Sequence, residues 1–133
     1  MEFNHIMIYV RELNRSLSFY RDLLGFQPIE TMPGYAWLRS PDGNATLALH
    51  VLGETQELDP KREGIRPYFE LPDLDAVCKR LEKRGVPFSQ MPKDMEWGWR
   101  HAYLHDPDGH EISLYWAGEK RLKKTPRAKA LGR

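Results

Sequence analysis

Cysteine is nearly absent, with Cys78 the only one in 133 residues. A lone thiol closes no intramolecular disulfide and excludes multi-cysteine zinc and iron–sulfur sites. Long apolar runs are missing as well, and none approaches the roughly 18 residues that a membrane-spanning helix needs. The opening MEFNHIMIYVREL carries no basic flank, no extended apolar segment and no small-residue cleavage site. It does not read as a secretory leader, so a cytoplasmic location and no membrane partner are expected. There is no Ser-His-Asp order, no phosphate-cradling glycine loop and no dinucleotide fingerprint. What is present is a globular mixture: 41% apolar and 29% charged residues, with 10 Gly and 10 Pro. This length suits one domain that buries a core without covalent staples.

The net charge of +1 conceals an asymmetry. From Lys120 to Arg133 the chain holds seven basic residues and no acidic one, which leaves thirteen basic against nineteen acidic residues in 1–119. An acidic body argues against a nucleic-acid-binding domain. The segment 120–133 reads as a basic C-terminal tail, either a solvated extension or an arm for phosphates or an acidic partner.

The body repeats itself. NHIMIYVRELNRSLSFYRDLLGFQPIE near the start is echoed, 61 residues on, by IRPYFELPDLDAVCKRLEKRGVPFSQ. Each copy opens with a β-prone run (6–10, then 67–71) and continues into a helical segment that ends at Gly25 or Gly85. Leu13, Leu17, Tyr20 and Leu24 share one helical face, as do Leu74, Val77, Cys78 and Leu81. Asn14 and Asp73 are expected as N-caps, and the two glycines as C′ residues. Further on, SPDGNATLALHV (40–51) matches HDPDGHEISLYW (105–116). In both, a Pro-Asp-Gly turn separates two β-prone stretches, as in a hairpin. Each half therefore reads strand, helix, strand, strand, strand. The fold class is α+β: two βαβββ modules, about 1–60 and 61–119, forming a curved mixed sheet around a cleft, the usual place for a small-molecule site.

Strand alternation sorts side chains by face. Ile6, Ile8 and Val10 turn toward the helices, leaving His5, Met7 and Tyr9 to the cleft. By the same rule Thr46, Ala48 and His50 face the cleft. So do Arg66, Tyr68 and Glu70, then His101, Tyr103 and His105, then Glu111, Ser113 and Tyr115, with Trp116 on the helix side. Trp97 and Trp99 precede the seventh strand and suit an aromatic lid, a hydrophobic plug or a subunit contact. His5 either binds a ligand or hydrogen-bonds a strand end, and His50 either binds or is satisfied at the surface. Arg66 suits a carboxylate or phosphate because its planar fork matches their geometry. Cys78 reads as core.

The stretches NHIMIYV, FYRDLLGF, YFELPDLDAV and WRHAYLHDPDGHEISL resemble the vicinal oxygen chelate superfamily of glyoxalase I, bleomycin-resistance proteins, extradiol dioxygenases and methylmalonyl-CoA epimerase. The resemblance runs from about residue 3 to 117. It implies the glyoxalase/bleomycin-resistance fold, a homodimer and, in many members, a divalent metal. The family's ligand positions fall on His5, on or near Ala48 with His50 two residues on, on Arg66 and on Ser113. Of the family's ligand set only His5 keeps a ligating side chain. A displaced set of His5, His50 and Glu111 or Glu70 is the alternative, holding iron, zinc, manganese or nickel. Tyr103 stands ten residues before Ser113, a spacing like that of the acid/base tyrosine and ligand glutamate of the dioxygenases. Two functions are implied. One is a binder of a small aromatic or anionic molecule without an obligatory metal, using His5, Tyr9, His50, Arg66, Tyr68, Glu70, Trp97, Trp99, Tyr103, Glu111, Ser113 and Tyr115. The other is a metal-dependent lyase, isomerase or dioxygenase with His5 on the ion.

Overall fold

A computed structural model describes residues 2–62 and 64–124; most of the basic tail lies outside the described residues. The chain divides at Arg62 into two compact units. In the first, β1 (His5–Val10) leads into α1 (Leu13–Leu17), which continues as a π-helical turn over Ser18–Leu23. The strands β2 (Gln27–Met32), β3 (Tyr35–Arg39) and β4 (Thr46–Val51) follow. The second unit runs β5 (Tyr68–Glu70), α2 (Leu74–Lys83), β6 (Phe88–Asp94), β7 (Arg100–His105) and β8 (Glu111–Trp116), then a short 3-10 helix over Gly118–Leu122. The strands form two four-stranded mixed sheets, one per unit, ordered β1-β4-β3-β2 and β5-β8-β7-β6. In each, the first strand pairs in parallel with the last and the other neighbours are antiparallel. The repeat legible in the sequence is thus a repeat of topology.

Burial alternates along β1 and β3, while the inner strands β4 and β8 are buried without a break over Leu47–Leu49 and Ile112–Tyr115. Ile8 and Val10 are buried while His5 and Met7 are exposed. In the second unit Ala102, Leu104, Ile112 and Leu114 are buried, as are Leu74, Val77, Cys78 and Leu81 of α2. Burial pushes the Cys78 thiol up to about 12, so it stays protonated. The π turn alters the first helix's stripe. Leu17 and Tyr20 are buried as the spacing predicts, Leu13 and Leu24 only half so, and Ser16 and Phe19 join the core. A wider turn rotates successive side chains away from a 3.6-residue stripe.

Two local expectations are corrected. Asn14 lies inside α1; the N-cap is Glu12, which makes no side-chain cap bond. The helix starts two residues earlier than an Asn cap would set, because the extended backbone of Glu12 turns directly into Leu13. Asp73 does stand at the N-cap of α2, also without a side-chain cap bond. Trp116, expected on the helix side of β8, is 42% exposed. Gly118 lies beyond it at φ +58, and a Cβ there would meet the Trp116 ring at 2.9 Å. The indole is thus covered in part by the chain's return into the 3-10 helix.

Candidate functional site

The hairpin turns set the ends of the strands that carry the candidate residues. In the first, Ser40 Oγ donates to Asp42 Oδ1, which also accepts from the Asn44 amide, while Ser40 Oγ accepts from the Ala45 amide. In the second, Asp106 Oδ1 accepts the amides of Asp108 (3.0 Å) and His110 (2.9 Å). Gly43 and Gly109 carry the left-handed φ, +82 and +84, that each turn requires. Asp106, Asp108 and His110 bring ligating atoms within 4.8 Å of one another, a possible Asp/His metal group. Its central oxygen is already committed to two amides, which makes the trio first of all a clamp for the β7–β8 turn.

In the first unit the candidate residues spread along β1 and β4. His5 Nδ1 lies 2.6 Å from Thr46 Oγ1. His50 donates from Nδ1 to its neighbour's carbonyl, Val51 O, at 2.7 Å, and Tyr9 and Tyr35 meet its ring edge-on. Register pairs His5 with Thr46 and Tyr9 with His50. Four steps of parallel strand, about 13 Å of backbone, separate the two register positions, and each ring is bonded near its own end. The two imidazoles cannot share one ion, so the displaced ligand set built on both is not formed.

The second unit gathers most of the others on one sheet face. Arg66 Nη2 lies 2.5 Å from Glu111 Oε1, its Nη1 donates to Tyr68 Oη at 3.4 Å, and its guanidinium stacks 4.6 Å above the Tyr103 ring. Glu111 Oε2 accepts from Ser89 Oγ at 3.0 Å and has His105 Nε2 at 3.7 Å. The fork that the sequence offered to an anion is therefore occupied by a carboxylate of the same sheet. Glu70, four residues on from Arg66 and the last residue of β5, is used differently: its Oε2 accepts the amides of Ala117 and Gly118, and Arg121 Nε approaches its Oε1 at 3.9 Å.

At the centre is His101, only 2% exposed. Trp97 Nε1–H donates to His101 Nε2 at 3.1 Å, so the ring's remaining proton sits on Nδ1 and points to Ser113 Oγ, also 3.1 Å away. Burial, and then the charge of Arg66, lower the pKa of His101 and favour this neutral form. Because histidine donates to Ser113, it does not serve the serine as a base, and the pair is not an activated nucleophile. The rings of Trp99, His101, Tyr103 and Tyr115 lie nearly parallel, with successive pairs 15° to 21° apart in plane. Tyr68 crosses His101 and Tyr115 edge-on. Tyr68, Trp97, Trp99, His101 and Tyr115 line a pocket of about 310 Å³. Burial holds the Tyr103 and Tyr115 hydroxyls above the usual tyrosine range, hence protonated.

The two tryptophans flank a tight turn. The Met95 amide donates to Trp99 O and the Gly98 amide to Met95 O, with Gly98 at φ +93. Below the turn, Arg100 grips Asp75 of α2 through two bonds of 2.9 Å and Asp94 through one of 3.1 Å. Asp75 is held below the usual carboxylate range by that fork. The hairpin is thereby tied to the helix behind it. His101 is the residue that sequence reasoning undervalued: alternation put it on this face, but nothing in the pattern marked it as the hub. Lys120 and Arg121, read as the start of a tail, also belong here, since Lys120 Nζ donates to Gly98 O at 3.3 Å.

Residues 2–114 match the family model of the Glyoxalase/Bleomycin resistance protein/Dioxygenase superfamily. The chain belongs to this superfamily. Among relatives, a lactoylglutathione lyase of Pseudomonas putida is 26% identical over 84% of this chain and 83% of its own length. A protein named Glyoxylase I 4 of Arabidopsis thaliana is 29% identical over 84% of this chain and 68% of its own length. A glyoxalase/bleomycin resistance protein/dioxygenase from Nocardioides superposes with a TM-score of 0.74 at 23% identity, covering 95% of this chain and 87% of that one. A protein of unknown function from Agrobacterium tumefaciens reaches 0.72 at 29% identity, over 88% and 94%. Superfamily members often use a divalent metal. The residues at the corresponding positions here do not fit one. Arg66 is a cation in an ion pair, the Ser113 hydroxyl receives the His101 proton, and Ala48 is a buried methyl. His5 alone retains a ligating group there, and a divalent site asks for about three.

Proposed function

We propose that this chain is a binding member of its superfamily, holding a small molecule with a flat aromatic group against the second sheet and needing no metal to do so. The observation that carries the reading is the pocket walled by Tyr68, Trp97, Trp99, His101 and Tyr115. Its volume suits a one- or two-ring compound. Its walls offer rigid apolar area at little entropic cost, because ring side chains have few torsions to freeze. The Trp97–His101 and His101–Ser113 bonds hold two of those walls, Trp97 and His101, in place before a ligand arrives, which lowers the cost of binding. Arg66 and Ser113, where the family's ligands would stand, support independence from metal.

The test uses 2-naphthylmethanol with protein stripped by chelator. Calorimetry should show binding that survives metal removal and weakens at least tenfold in Trp99→Ala, about 1.4 kcal/mol or more. A stoichiometric ion that copurifies, with melting temperature falling on chelation and on His5→Ala, would overturn the reading. It would favour the metal-dependent lyase reading; several relatives are named as lactoylglutathione lyases or probable ones. We also propose a homodimer. Edge strand β2 is exposed along its whole length and presents Ile29 and Met32, and Met7 is exposed on β1. Sedimentation should give twice the chain mass.

A further inference from the structure

We infer that the ligand is a planar aromatic compound carrying an anionic group, and that Lys120 and Arg121 receive the anion beside the Trp97–Gly98–Trp99 turn. This rests on the reading of the aromatic pocket as a ligand site, and it names the ligand's class. The argument is a balance of donors and acceptors around the pocket. At the Arg66 end the charges cancel: Arg66 faces Glu111, and Glu111 is further held by Ser89. The Trp97 indole N–H is taken by His101.

At the other end donors are in excess. Lys120 Nζ reaches only a carbonyl, Gly98 O, and has no carboxylate partner among the described residues. Gly98 is the residue between the two tryptophans that wall the pocket, so the ammonium is anchored on their turn. Arg121 has Glu70 at 3.9 Å, but one oxygen of Glu70 is spent on the Ala117 and Gly118 amides. The charge of Arg121 acts on Tyr115, another pocket wall, to favour its ionised form against the opposing effects of burial and Glu70. Lys120 with only a carbonyl, and Arg121 at 3.9 Å from a carboxylate already holding two amides, leave charged donors in excess here. A carboxylate or phosphate attached to the ring supplies the acceptors, in charge-assisted bonds stronger than neutral ones.

Three probes share one ring system: neutral 2-naphthylmethanol, 2-naphthoate and 2-naphthyl phosphate. Calorimetry at low salt should show one or both anions binding about fivefold tighter than the alcohol, with the advantage shrinking as salt rises. In the double variant Lys120→Gln/Arg121→Gln the anion-to-alcohol ratio should fall to about one. If the alcohol binds and neither anion is preferred, the inference fails while the pocket reading stands. If none binds, both fail. If the preference survives in the double variant and disappears in Arg66→Gln, the anion lies at the Arg66 end and the inference is overturned. Salt dependence on the unaltered protein tests the charge effect without any variant.

Discussion

At the scale of single residues, His101 links stability to pH. Its folded-state pKa is lowered by burial and by Arg66, so the unfolded chain takes up the proton first on acidification. The contribution is complete above the ordinary histidine value of about 6.5 and is lost as pH falls below it. Asp42 and Asp75, both held low, act in the same direction, but only near and below about pH 4. Urea midpoints at pH 7.5 and 5.5 separate the two windows. The midpoint should drop at 5.5 in the native protein and change less in His101→Gln; equal midpoints in the native protein would refute the assignment. Protonation also puts a second donor opposite Trp97 Nε1–H, so this loss should coincide with a change in tryptophan emission.

At the scale of elements, the two Pro-Asp-Gly turns show how one sequence signal is satisfied in two ways. Asp106 is buried and accepts two amides, so Asp106→Ala removes the acceptor of the buried Asp108 amide and of the partly buried His110 amide. It should cost about 2–3 kcal/mol in chemical denaturation. Ser40 occupies the corresponding place in the first turn but is less buried, with solvent available to replace its bonds. Ser40→Ala should cost about 1 kcal/mol or less. The helices illustrate the limits of pattern. The α2 stripe of Leu74, Val77, Cys78 and Leu81 is buried as its spacing implies. In the first unit the spacing continues smoothly through Ser18–Leu23, where the backbone widens into a π turn that no local residue signals.

At the scale of the whole molecule, both units place their last strand inside the sheet, bonded on each side. Amides of Leu47, Leu49, Ile112 and Leu114 should therefore exchange with solvent most slowly, and those of the exposed edge strand β2 among the fastest. Hydrogen-exchange mass spectrometry would show this pattern twice over. The repeat, the strand order within each half and the residues on each face were legible in the chain, because period-two alternation and turn residues act locally. So was the membership of Arg66, Tyr68, Tyr103, Glu111, Ser113 and Tyr115 in one face. What each does there was not legible. Pairing of Arg66 with Glu111, the tautomer of His101 and the placing of Lys120 on Gly98 O depend on which atoms meet after β5, β7, β8 and the 3-10 helix are assembled. Sequence by itself determined the faces and the turns; tertiary structure alone decided the partners, since a hydrogen bond or ion pair is specified by distances of a few tenths of an ångström that no periodicity encodes.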